Sequence, residues 1–317
     1  MKKVAIGVDI GGTSVKLGVV DGAGKLLMRD NFSTKELKGR KAMIKKLVEC
    51  IQALVKQAEA KGMKVRGVGV GAPGPIEVEK GFVYFFPNIP GWKNTPFKQL
   101  LEKRLKMPVR IDNDANAMAL GEYLFGAGKG ADSLVALTLG TGIGGGIVMN
   151  GKLFHGHTYS AAEMGHMVIN EKGPLCACGN RGCVETYVGN GYFAAEVKRR
   201  LNAGAKSILS QWIKKGEVLT PLLVKQAAWK GDDFSKKMWE ETAEHLATAL
   251  AALVNILNPE RIVIGGGISQ QAGVLFKPLI RALNRKAFPI AVRSVKVVPA
   301  KLGADAGLIG AAALILA

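Results

Sequence analysis

Three short apolar runs near the start of the chain, at residues 4–8, 15–20 and 25–28, are joined by connections too short for a crossover helix, which predicts an antiparallel meander. The period then lengthens. Met43, Ile44, Leu47, Val48, Ile51, Leu54, Val55 and Ala58 recur on one helical face between positions 41 and 60, with lysines opposite, and predict a helix packed on a core. The run VRGVGVGAPGPI returns to strand and breaks into a loop at its Gly and Pro residues. Thr95 and Pro96 open a helix that stops before Pro108, and a strand at 109–112 runs into the polar cluster DNDAN. From Leu134 the order of strand, glycine turn, strand, glycine, lysine, strand repeats in LVALTLGTGIGGGIVMNGKLF, as in VDIGGTSVKLGVVDGAGKLL near the start. Two copies of one unit predict a duplicated α/β architecture, each half a meander sheet flanked by helices. A long helix at 237–257, ended by Asn258 and Pro259, leads into the buried strand RIVIGGG. The expected division is a first domain at 1–112 and a second at 113–302. The Ala-rich helix at 303–317 packs back on the first, and the polar cluster lies in an interdomain cleft.

Chemistry concentrates between Glu163 and Glu185. His166, Cys176, Cys178 and Cys183 are the imidazole and thiolates of a closed tetrahedral zinc site, spaced by glycines that let a tight loop fold around one ion. Four protein ligands leave no open position, so such a metal shapes the loop and aims the flanking carboxylates of Glu163 and Glu185. The glycine clusters are the second signal, because bare backbone amides between strands can approach an anion. Gly11, Gly12 and Thr13 form one cluster, with Asp9 before it, placed for Mg²⁺, and Lys16 after it. Gly140, Thr141 and Gly142 form its counterpart in the second half, and Gly265, Gly266 and Gly267 follow a buried strand where a flat base could lie on backbone. A dinucleotide fingerprint is excluded at Gly140 because the chain continues there as strand and opens no helix.

Composition narrows the classes. With 317 residues, 48% of them hydrophobic, the chain has the material for two cores and is not disordered. The N-terminal apolar run carries Asp9 and lacks a cleavage signal, and the apolar C-terminal stretch is too short to span a bilayer, so a cytoplasmic protein without membrane partners is expected. Cysteines spaced for a metal fit a reducing compartment. Forty-four basic residues against 25 acidic ones leave a net charge of +19. The basic residues fall on polar helix faces without interleaved aromatics, which predicts a solvated surface and no specific nucleic-acid partner.

These segments together resemble the ROK family (repressor, open reading frame, kinase) and within it the bacterial glucokinases. The signature runs Glu163-x-Gly165-His166, then Gly173, Cys176-x-Cys178-Gly179 and Gly182-Cys183-x-Glu185. DIGGTSVK resembles the first phosphate motif, LGTGIGGG the second, IGGGIS the adenosine motif and IDNDANAMALGE the catalytic segment. The resemblance implies a two-domain actin/hexokinase-like, ribonuclease H-like fold that phosphorylates a hexose, glucose first, from Mg-ATP. It implies Asp114 as general base, with a role as cap of the helix after it left open. Gly74, Asn88, Asn113, Glu163, His166 and Glu185 are the implied sugar contacts, and Asp9, Lys16 and the three glycine clusters the implied nucleotide contacts. Kinases for N-acetylmannosamine, mannose, fructose or allose share these residues, and some relatives use polyphosphate as donor. Sugar-responsive transcriptional regulators carry a helix-turn-helix ahead of this region, for which the stretch before Asp9 leaves no room. A homodimer or homotetramer is implied.

Overall fold

The computed structural model describes residues 1–35, 37, 39–87, 89–267 and 272–317. Two compact units divide the chain: residues 1–136, 146–162 and 301–317 form unit 1, and residues 137–145 and 163–300 form unit 2.

Unit 1 begins with β1 (Lys2–Ile10), β2 (Ser14–Asp21) and β3 (Leu26–Ser33), followed by α1 (Gly39–Ala60) and β4 (Met63–Ala72). Three short strands, β5 (Ile76–Glu77), β6 (Phe82–Phe85) and β7 (Lys93–Thr95), precede α2 (Phe97–Leu105), β8 (Val109–Asn113) and α3 (Asp114–Phe125). The main sheet has the order β3-β2-β1-β4-β8, antiparallel among β1, β2 and β3 and parallel from β1 through β4 to β8. The division of the chain runs through β9 (Ser133–Leu139) and β10 (Ile143–Met149), which are followed by β11 (Lys152–Leu153). The helices α4 (Glu185–Val188), α5 (Asn190–Asn202), α6 (Leu209–Lys214), α7 (Pro221–Trp229) and α8 (Asp233–Leu257) come next. Then follow β12 (Arg261–Gly265), α9 (Ala272–Lys286), α10 (Pro289–Ser294), β13 (Lys296–Pro299) and, back in unit 1, α11 (Ala306–Leu316). The second sheet reads β11-β10-β9-β12-β13. Counting strands along the chain, both sheets place them third, second, first, fourth, fifth, so the repeated sequence pattern is a repeated topology.

Helix α1 buries Met43, Ile44, Leu47, Ile51 and Leu54 against Val4, Ile6 and Val8 of β1, each side chain stabilising by about 1.5–3 kcal/mol. On α11, Leu308, Ile309 and Ala312 pack with Ala5 and Val20. That seat is very close, because glycines stand where β1 and β4 meet the helix. A Cβ at Gly69 would fall 1.7 Å from the Ala311 carbonyl oxygen, and one at Gly7 would fall 2.1 Å from that of Leu308. The opposite side of α11 meets α3 in the same way, Gly310 lying against the Ala117 carbonyl. Buried Glu122 ties the end of α3 to the segment entering α11, its carboxylate accepting from the N–H groups of Ala127, Lys301 and Leu302 at 2.7, 3.1 and 2.7 Å.

Four expectations need correction. Residues 113–136 belong with unit 1, since α3 packs on α11 and β4, so the boundary does not fall at 112. The stretch expected to be a loop after β4 holds the small β5-β6-β7 sheet, whose strands are too short to show an alternating pattern. β3 runs on to Ser33, paired with β2 along its length, although LLMRDNFS has no buried face. Helix α8 starts a turn before the expected position, where the Asp232 side chain accepts from Ser235 N. Much of the positive charge on the unit 2 helices is paired: Arg199 and Arg200 with Glu196, Arg200 with Glu241, and Arg285 and Lys286 with Glu244. Among the described residues no helix is long and apolar enough to cross a membrane.

Replacing Gly69 with Ala forces β4 and α11 apart and is expected to cost about 3 kcal/mol in urea unfolding. Gly22 is the control, since a Cβ added there would meet nothing within 4 Å, and Gly22→Ala should stay within about 0.5 kcal/mol of the parent.

Candidate active site

In unit 1 the first glycine turn joins β1 to β2. Gly11 N donates to Ser14 O at 2.9 Å, and the Thr34 hydroxyl donates to Gly12 O at 2.8 Å, so the turn is held from both sides while Gly12 and Thr13 face solvent. Asp9 and Lys16 are cross-strand partners at its base. Burial pushes the Asp9 carboxyl above its ordinary range; Lys16 opposes this and Asp305 adds to it. Lys16 also donates to the Ala304 carbonyl at 2.9 Å, so it is anchored and not a loose surface residue. The Asp9 carboxylate lies against Gly307 in the first turn of α11, where any larger residue would meet it within 3 Å.

The segment that resembles the family's catalytic one forms the junction of β8 and α3. Asn113 caps the helix, its Oδ1 accepting from Ala115 N at 2.8 Å and Asn116 N at 3.3 Å. Asn113 thus holds the cap position, and Asp114, at the first helical position, also accepts from Ala115 N through its Oδ1 at 2.8 Å. Asn113 Nδ2 donates to Gly74 O at 3.4 Å, placing the Gly74 turn beside the junction. Gly74 has φ +87° and a Cβ there would lie 2.6 Å from Phe85 O, so only glycine fits. Asn88 lies outside the described residues.

In unit 2 the segment from Glu163 to Glu185 folds back on itself through the bridges Val168 to Cys183 and Leu175 to Arg181. Gly182, at φ +67°, passes so close to Asn170 O that a Cβ would lie 1.6 Å from it. This fold gathers the ligand atoms of His166, Cys176, Cys178 and Cys183 within 4.8 Å of one another. Cys178 and Cys183 sulfurs are 3.7 Å apart, as are the Cys176 sulfur and His166 Nδ1. Tetrahedral zinc with bonds near 2.3 Å would space its sulfurs by roughly 3.8 Å, so the donor set fits the ion in number, type and spacing. Burial pushes the Cys183 thiol up to about 12, so its thiolate form would need a cation beside it.

Glu163 precedes the short 3₁₀ turn Met164–His166, its carbonyl accepting from His166 N at 3.0 Å. Glu185 opens α4, and its Oε2 accepts from Ile143 N at 2.8 Å. Gly142 makes room for that carboxylate, because a Cβ there would lie 2.4 Å from Oε2. Gly140 to Gly142 form the turn between β9 and β10, closed by Gly140 N on Gly142 O at 3.0 Å and held by Asn190 N on Gly140 O at 2.9 Å. At the end of β12, Gly265 is followed by Gly266 at φ +85°, packed on Leu139 just before that turn, and then by exposed Gly267. The second phosphate motif and the described part of the adenosine motif are thus contiguous; Ile268 and Ser269 lie outside the described residues.

A family model described as ROK family matches residues 5–317. The chain belongs to the ROK family. It is 40% identical to a glucokinase of Thermotoga maritima, over 98% of this chain and 96% of that protein. It is 31% identical to a xylose repressor of Caldicellulosiruptor bescii, over 98% of this chain and 77% of that protein. Among solved structures it resembles a ROK family glucokinase from Streptomyces griseus in complex with glucose and AMPPNP, with TM-score 0.80 and 36% identity over 98% of both chains. The mixed α/β fold with a sheet in each half is that of the ROK sugar kinases.

Two contacts carry no local sequence signal. Glu185 and Ile143 are 42 positions apart, and Asp112 and His155 are 43 apart, so neither pair shows in periodicity or spacing. Replacing Glu185 with Ala removes the charged acceptor from the Ile143 amide, and its hydrogen exchange should speed up by at least about tenfold, the equivalent of a bond worth about 1.5 kcal/mol or more.

Proposed function

We propose that this protein is an ATP-dependent glucokinase that converts glucose to glucose 6-phosphate. The observation that carries the reading is end-to-end similarity to glucokinases at 40% identity, together with a carboxylate at the first position of the helix that follows β8. Asp114 takes the proton of the sugar's exocyclic hydroxyl as its oxygen attacks the γ-phosphorus. The new O–P bond forms, the bond to the bridging oxygen breaks, and ADP leaves. Asp114 occupies the first helical position beside the Asn113 cap, its Oδ1 accepting from Ala115 N at 2.8 Å, which fixes the carboxyl at the start of α3.

Glu163 and Glu185 accept from sugar hydroxyls. With Nδ1 of His166 turned toward the cysteines, a metal held there would leave Nε2 to donate to the sugar. Asn113 and Gly74 complete the contacts to the hexose. Gly11, Gly12, Thr13, Gly140, Thr141 and Gly142 offer backbone to the phosphates, Gly265 to Gly267 offer it to the adenosine, and Asp9 with Lys16 sits where Mg²⁺ would neutralise phosphate charge. Structural zinc on His166, Cys176, Cys178 and Cys183 supplies stiffness to the loop between the two glutamates. The nucleotide donor places the reaction in the cytoplasm, and the protein acts as a homodimer or homotetramer.

A sugar-responsive regulator is the second reading, raised by the xylose repressor at 31% identity, and the higher identity to the glucokinase favours catalysis. ADP release measured across hexoses and N-acetylhexosamines, repeated with polyphosphate, decides: absence of turnover with every sugar would remove the kinase assignment. Asp114→Asn should lower kcat by about 10²–10⁴ while the glucose Kd by calorimetry stays within about threefold. Metal analysis should find one zinc per chain. Cys178→Ser should lose that zinc, lower the melting temperature and raise the glucose KM together.

A further inference from the structure

Asp112 is two residues before the proposed base and almost fully buried, 1% exposed, although the sequence shows it only as part of a polar cluster. Both of its oxygens are engaged. Oδ1 accepts from Asn113 N at 2.7 Å and from Asn116 Nδ2 at 3.0 Å, gripping the first turn of α3 from below. Oδ2 meets His155 Nε2 at 2.7 Å. His155 follows β11 and is half-buried, and among the described residues Asp112 is the one hydrogen-bond partner of its ring. The pair borders a cavity of about 420 Å³ within unit 1, where Glu79, Lys98, Arg110 and Lys152 also face it. Arg110 is held by the Leu314 carbonyl at 2.8 Å, and Tyr159 stands 6.1 Å from the imidazole, ring to ring.

A buried carboxylate with no cation is costly, and it also repels a second carboxylate two residues away. Neutralising Asp112 by protonation would remove that charge but weaken its grip on the turn. An imidazolium solves both difficulties. We propose that His155 is a positioning residue for phosphoryl transfer, holding the start of α3, and with it Asp114, through Asp112. The proposal rests on the reading of Asp114 as general base.

The hydrogen bond to Asp112 raises the His155 pKa above its ordinary value, with burial opposing. A raised histidine pKa means the imidazolium and its effect are present below that value and lost as the pH climbs through it. His155 should therefore contribute to kcat below its raised pKa and generate an alkaline limb in the kcat profile above it.

The test combines kcat profiles with NMR of ¹³C-labelled histidine. His155→Ala is expected to lower kcat by about ten- to a hundredfold, with glucose KM moving less than about threefold. His155→Gln, which keeps a donor near the Nε2 position without charge or a titrating group, should bring kcat back only to the wild-type level on the high-pH side and abolish the alkaline limb. The wild-type His155 resonance should titrate above an ordinary histidine and fall back toward it in Asp112→Asn. Wild-type kcat in His155→Ala, or an alkaline limb retained in His155→Gln, overturns the proposal; the Gln variant carries the test if the Ala variant fails to fold. A His155 resonance with ordinary titration overturns the ion pair itself. Full turnover in Asp114→Asn would instead overturn the base assignment and leave the NMR shift in place, so the two failures are distinguishable.

Discussion

Every helix begins with amides that have no partner in its own backbone, and at the start of α3 the way they are satisfied sets the chemistry of the whole junction. Asn113 supplies the cap, Asp112 grips the turn from beneath, and Asp114, the proposed base, shares the Ala115 amide through its Oδ1. Three adjacent polar residues thus have three different environments: one half-buried amide, one buried carboxylate matched by His155, and one carboxylate at the positive end of a helix.

Unit 2 solves a related problem by sharing one carboxylate. Glu185 leaves the cysteine loop at the start of α4 and accepts from the amide that follows the Gly140 turn. The residue proposed to read a sugar hydroxyl is therefore fastened to the turn proposed to meet phosphate. Its loop is kept open by Gly142, which has no side chain to displace the carboxylate. A metal held by His166 and the three cysteines would stiffen the other end of the same loop, and a disturbance at the cluster would reach the Gly140 turn through covalent chain and one hydrogen bond.

Much of the architecture is legible in the sequence because it is repetitive. The strand runs, the α1 stripe and the two glycine turns recur with periods that sequence displays directly, and the matched strand order of the two sheets follows from them. The cysteine loop is legible because ligand chemistry restricts residue type and spacing together. What stays hidden depends on long-range approach. Gly7 and Gly69 look like ordinary strand glycines until α11 arrives, Glu122 reads as part of a helix face until Lys301 and Leu302 donate to it, and nothing near His155 announces Asp112. Helices α6 and α7, at six and nine residues, are too short for their periodicity to declare a face.

The seating of α11 has a consequence for biosynthesis. Its partners, β1 and β4, emerge from the ribosome early, and the helix that covers them follows the whole of unit 2. Until α11 is released, the sheet of unit 1 keeps an apolar, glycine-lined face uncovered, while all the residues of unit 2 precede it in the chain. Nascent chains should therefore hold a completed second half and an unfinished first one, an interval in which chaperones or a neighbouring nascent chain compete for that face. Late translation, more than any early event, then governs how much of the protein escapes aggregation.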